Sequence, residues 1–208
     1  MNLLILLLYR VSALISYIPK KLIAANNENN IHKLVNITSD YIENQSDYSN
    51  ISFGKRDLSY CGCGAIATYN ALISLKNVLS KADLSKIISY YENKGLVFGG
   101  KFGISPTYVK KYFKKLGYQV RTTFSSTQTK LDEFGKMYDT FICTMYNSKK
   151  NIGKGLHYIC ITKDNDGTFI SHNPYYKSHS LSNLITKASS DNGKSLYMIG
   201  VSHGKDNN

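Results

Sequence analysis

The chain has no tryptophan, no internal repeat and no paired-cysteine motif of the zinc-binding kind. Its four cysteines are Cys61, Cys63, Cys143 and Cys160. Cys61 and Cys63 are too close for an easy disulfide within one extended segment. Cys143 and Cys160 sit inside apolar, strand-like runs, where a reduced cysteine behaves as a small hydrophobe. The histidines near them lack ligand spacing. A disulfide framework and a structural zinc site are thereby excluded, and a reducing compartment is favoured. No metal or organic cofactor is expected.

Acidic residues are also scarce, 14 against 26 basic ones, giving a formal charge of +12. Lysines cluster at Lys110, Lys111, Lys114 and Lys115, and again at Lys149, Lys150 and Lys154. Such clusters suit an acidic peptide or an anionic membrane, and they also serve simply as a solvated face. No arginine-rich or nucleic-acid-binding motif accompanies them, so no nucleic-acid partner is expected. What the chain does have is 42% hydrophobic residues and 17 tyrosines in 208 residues, enough for one domain with a real core.

No apolar run reaches the 20 or so residues of a full membrane span. Leu3 to Ile18 comes nearest, broken by Tyr9, Arg10, Ser12, Ser16 and Tyr17 and followed by Lys20 and Lys21. A secretory signal places its positive charge before the apolar run, and here the side-chain charges lie within and after it. An inserted helix, an interfacial helix and a helix packed on the domain all fit residues 1–21. If it inserts, the trailing lysines keep the rest of the chain on the cytoplasmic side, so the expected location is the cytoplasm or the cytoplasmic membrane face, with secretion the alternative. Residues 22–56 are rich in Asn, Ser and Asp around a weak helical stretch, Ile31 to Ile42, and read as a linker or pro-segment.

Residues 57–203 are more regular. Gly64 to Lys76 is an apolar run without proline and reads as a buried helix. Ser80 and Asp83 form an acidic variant of the capping box for a helix reaching Asn93. Ser105 and Pro106 start a third helix, which Gly117 stops. The period then changes. Tyr118 to Phe124, Thr140 to Tyr146, Leu156 to Thr162, Thr168 to Ser171 and Leu196 to Val201 read as strands, with Asp164-Asn165-Asp166-Gly167 turning a hairpin. Helices lie at Thr129 to Met137 and Leu181 to Ala188. Helices first and antiparallel strands afterwards make an α+β fold.

Three residues carry the candidate chemistry. Cys63 stands immediately before the long buried helix, where unpaired N–H groups and the positive helix end favour an anionic sulfur. Gly62 and Gly64 flank it, which lets a substrate backbone approach. His157 begins a strand beside the prospective cleft. Asn173 follows one hairpin later, where its amide oxygen can accept the imidazole N–H and fix its tautomer.

Cysteine, histidine and asparagine in this order and setting resemble the papain-like cysteine peptidases, most of all the bacteriocin double-glycine leader-processing peptidases and their stand-alone relatives. The run from Tyr60 to Leu72 (YCGCGAIATYNAL) resembles that group's nucleophile helix. His157 to Ile161 and Asn173-Pro174-Tyr175 resemble its histidine strand and the segment after it, and Ser180 to Leu184 resembles the short helix that comes next. The resemblance implies a papain-like fold, a peptide or protein substrate with a small-residue site such as Gly-Gly, and Cys63, His157 and Asn173 as catalytic residues. It departs from the group at Asp57, where a glutamine commonly completes the oxyanion hole; a carboxylate there would repel the oxyanion. Asn173 replaces the aspartate usual in leader peptidases, as in papain itself. A shifted alignment would make Cys61 the nucleophile, but Cys63 puts Ile66-Ala67 in register and lies nearer the helix start. The expected activity is peptide-bond hydrolysis; acyl transfer or deamidation on the same residues, and a weakly active or inactive peptide-binding module, are the alternatives.

Overall fold

A computed structural model describes residues 2–34, 40–75, 81–124, 127–191 and 193–203. The first half holds α1 (Asn2–Ile15), α2 (Lys20–Lys33), the short strands β1 (Ser52–Phe53) and β2 (Arg56–Asp57), α3 (Leu58–Cys61), α4 (Cys63–Ser74), α5 (Lys81–Lys94) and α6 (Pro106–Lys115). The second half holds β3 (Gln119–Thr123), α7 (Gln128–Met137), β4 (Thr140–Tyr146), β5 (Leu156–Lys163), β6 (Phe169–His172), β7 (Tyr176–Ser178), α8 (Leu181–Asp191) and β8 (Ser195–Ser202). The fold is α+β, as expected, with an antiparallel six-stranded sheet in the order β3-β8-β4-β5-β6-β7.

Strands that are apolar at every position need cover on both faces. β4 is buried along its whole length. Ile142, Tyr158, Cys160 and Ile199 pack on the face that meets α4, while Phe141, Cys143, Ile159 and Met198 pack on the face that meets α7 and α8. α4 is buried from Cys63 through Leu72, which accounts for its lack of a polar stripe. It lies directly on β5, where a Cβ at Gly64 would come 3.0 Å from Ile104 and 3.4 Å from Tyr158. The expected hairpin joins β5 to β6, with Cys160 opposite His172. Its turn closes through the Gly167 N–H donating to the Asp164 carbonyl at 3.0 Å.

Three local readings change, and others fall outside the described residues. Ser105 precedes α6 but makes no capping bond with its side chain, and its buried Oγ has no partner among the described residues. Ser80 and the middle of the Ile31–Ile42 stretch lie outside the described residues. Gly62 and Gly64 serve internal packing; a Cβ at Gly62 would meet the Leu58 carbonyl at 2.4 Å. Most consequentially, residues 22–56 do not run free as a linker. Asn26 and Asn30 of α2 are buried, and so are Ile42, Ile51 and Phe53. Asn26 donates to the Gly54 carbonyl at 3.0 Å, and Asn30 both donates to the Ser52 carbonyl and accepts its N–H, at 2.8 and 2.9 Å. Two of the asparagines that made this stretch look solvated, Asn26 and Asn30, are thus spent on main-chain groups.

α1 packs through Ile5, Leu6, Tyr9 and Ala13 and leaves its other apolar residues in solvent. Among the described residues no single helix is long and apolar enough to cross a membrane.

Candidate active site

The approach to Cys63 is built by α3 and the glycine after it. Asp57 caps α3, its carboxylate accepting the Tyr60 N–H at 2.9 Å. Gly62 then donates to the Leu58 carbonyl at 2.8 Å and accepts from Ile66 at 2.9 Å, so one residue both ends α3 and opens α4. Cys63 is thereby the first residue of a 12-residue helix. Its thiol lies 3.8 Å from the Leu156 carbonyl, to which it donates. Burial pushes the thiol up to about 11, opposed by main-chain groups of Tyr158, Gly64 and Cys63 itself. The helix end favours the thiolate, yet the loss of water outweighs it in this state.

His157, the second residue of β5, turns toward the end of the neighbouring strand. Its Nε2 lies 3.1 Å from the Asn173 main-chain oxygen. A carbonyl only accepts, so Nε2 carries the proton and a neutral ring keeps its lone pair on Nδ1. Burial lowers the His157 pKa, with the Asn173 carbonyl acting the other way. The expected contact was the amide oxygen of Asn173; the structure uses its main chain instead. Asn173 has φ 60°, a left-handed conformation that asparagine tolerates better than most residues.

The Asn173 side chain is held by a residue the sequence reading passed over. Gln45 donates its main-chain N–H to Oδ1 of Asn173 at 3.0 Å and accepts from Nδ2 at 3.2 Å. The Gln45 side-chain NH2 then donates to the carbonyls of Leu58, at 3.1 Å, and Ser59, at 2.7 Å. Neighbouring residues extend the strap. Ile42 exchanges two bonds with the Asn70 side chain at 2.8 and 2.9 Å, Glu43 meets His172 Nδ1 at 2.5 Å, and Tyr41 stacks on the His172 ring at 3.9 Å. Gln45 sits in a polar stretch without periodicity, so no sequence signal marked it.

Cys63, His157, Asn173, Gln45 and Cys61 line one cleft of about 540 Å³, with Lys101 and Lys154 at its margin. No hydrogen bond joins the Cys63 thiol to the His157 ring. Cys61 lines the cleft but turns its thiol toward the carbonyls of Asp57, at 3.4 Å, and Phe53, at 3.8 Å. It ends a helix rather than starting one, and burial raises its pKa strongly. The Asp57 carboxylate is engaged by the cap and is not among the cleft-lining groups. Among the described residues no group of three or more His, Cys, Asp or Glu side chains is arranged to hold a metal ion.

No protein-family model and no curated protein matches this sequence. Among solved structures the chain is similar to the peptidase domain of Streptococcus ComA, a bi-functional ABC transporter involved in a quorum sensing pathway. The identity is 14% and the TM-score 0.45, over 68% of this chain and 91% of that domain.

Proposed function

We propose that the protein is a papain-like cysteine peptidase acting through Cys63, His157 and Asn173. The observation that carries this reading is the commitment of His157 Nε2–H to the Asn173 carbonyl, in a cleft shared with a cysteine at a helix start. That bond leaves Nδ1 as the ring's basic atom. In the proposed cycle Nδ1 takes the thiol proton as Sγ attacks the substrate carbonyl, then returns it to the leaving amine. Water, deprotonated by the same nitrogen, hydrolyses the thioester. The oxyanion is met by the Cys63 main-chain N–H at the start of α4, where helix donors are unpaired. The capped Asp57 does not compete for that position. The substrate is a peptide or protein, with the small residues implied by the sequence resemblance before the cut bond. A thioester resolved by an amine, or an amide side chain in place of a peptide bond, uses the same steps.

One observation favours the non-catalytic peptide-binding reading. The thiol is bonded to Leu156 and not to His157, and its pKa is high. Catalytic hydrogen bonds often tighten only when substrate binds, so the two readings differ in what a ligand does. The test is the full chain treated with a peptidyl electrophile that mimics a Gly-Gly acyl group, followed by mass mapping of the adduct. An adduct confined to Cys63 and lost in His157→Ala is the expected result. Equal, slow labelling of all four cysteines would sink the catalytic reading. An adduct on Cys61 alone would move the nucleophile.

A further inference from the structure

α1 is apolar on both sides: Ile5, Leu6, Tyr9 and Ala13 pack on the domain, and the side turned to solvent is apolar as well. Leu3, Leu4, Leu7, Leu8, Leu14 and Ile15 are each more than half exposed. They recur at intervals of three, four and seven residues, so they form one continuous stripe on the helix surface. A contiguous exposed stripe of this kind marks an interaction surface.

The stripe does not stop at the helix end. Tyr17 follows at 74% exposure, and Phe98, whose main chain meets Ser16, is 53% exposed. Phe98 is fixed there by donating its N–H to the Ser16 hydroxyl. Its φ is 48°, a left-handed value unfavourable for a bulky side chain. Aromatic rings beside an aliphatic stripe suit the boundary between lipid tails and headgroups.

The charges around the stripe are of one sign. Arg10, Lys20, Lys21 and Lys101 are exposed, and no acidic residue precedes Glu28 in the chain. Two copies meeting through this face would bring those cations together, whereas an anionic surface neutralises them. By itself α1 is too short to cross a bilayer. Fourteen residues span about 21 Å, against about 30 Å of hydrocarbon. The axis also turns by 97° into α2, which Asn26 and Asn30 anchor to the domain.

We propose that the outer face of α1, with Tyr17 and Phe98, docks flat on an anionic lipid bilayer. Docking brings the cleft with it. The loop bearing Phe98 continues into Lys101 and Phe102, which line the cleft. On the inner side of α1 the Tyr9 hydroxyl lies against Gly155, where an added Cβ would be 3.5 Å away. The site therefore opens next to the bilayer and reaches chains held at its surface. This inference stands apart from the peptidase reading, since its test measures no catalysis.

The test is flotation of the full chain with vesicles of phosphatidylcholine containing 30% phosphatidylglycerol, against vesicles of phosphatidylcholine alone. Binding to the anionic vesicles is expected at least about tenfold tighter, falling as salt rises. The double variant Leu4→Ser/Leu8→Ser should lose it, and Lys20→Gln/Lys21→Gln should weaken it by about fivefold per lysine. All four positions are exposed, and an unchanged melting temperature shows that the variants fold. Absence of vesicle binding, or binding that survives Leu4→Ser/Leu8→Ser in a folded protein, would overturn the proposal. So would self-association lost in that variant when no vesicles are bound.

Discussion

Gln45 joins pieces of chain that the sequence keeps far apart. It bonds to Asn173, 128 residues away, and to the two carbonyls just ahead of the nucleophile helix. Removing it leaves buried and half-buried polar groups without that partner. Gln45→Ala is therefore expected to lower unfolding stability by about 1–3 kcal/mol in denaturant titrations. It should also slow labelling of Cys63 by the peptidyl electrophile, because Asn173 carries the carbonyl that orients His157. An unchanged labelling rate would confine Gln45 to a structural role. The contrast with its neighbours is instructive. Cys63, His157 and Asn173 stand out in the sequence because each sits at the end of a recognisable element. Gln45 is identifiable only through contacts, which one-dimensional spacing does not encode. The same limit hid the atom used by Asn173, because a turn residue's side chain and main chain share one sequence position.

At the scale of elements, α2, α5 and the β1–β2 turn are clamped by Glu92. One carboxylate oxygen accepts from Asn26 at 2.6 Å and from the Gly54 N–H at 2.7 Å; the other is buried with no hydrogen-bond partner among the described residues. Burial raises the Glu92 pKa more than these two donors lower it. The folded state then holds this proton more tightly than the unfolded chain does. Stability from the protonated carboxyl is complete below the unfolded value near 4.5 and is lost as pH rises through the higher folded value. Glu92→Gln keeps an acceptor without the ionisation, so it should flatten that part of the stability–pH curve, measured by melting across pH 4 to 8. A fall of the same steepness in the variant would place the proton elsewhere. The elements themselves were largely visible: α4, the β5–β6 hairpin and β8 follow their periodicity to within two or three residues. α2 was not, because buried asparagines mimic the composition of a linker.

Over the whole molecule, residues 40–56 behave as part of one packed body. Ile42, Glu43 and Gln45 bond respectively to α4, to the end of β6 and to the residue after it. Limited digestion with proteinase K under native conditions should leave this stretch attached to the rest, whereas a linker would be cut first. Early release of a fragment beginning near Asp57 would show that the strap opens. By itself the sequence determined the α+β class, the order of the main helices and strands from α4 onward, and the three residues that carry the proposed chemistry. Those follow from local rules: periodicity of 3.6 or 2, turn residues, and a cysteine at a helix start. Tertiary structure alone decided that the described parts of residues 22–56 pack on the rest of the chain, that Asp57 caps a helix, that Gln45 holds Asn173, and that α1 leaves Leu3, Leu4, Leu7, Leu8 and Leu14 outward. Each depends on which surfaces meet, and a side chain's partner across 20 to 130 residues is set by packing, not by its neighbours in the chain.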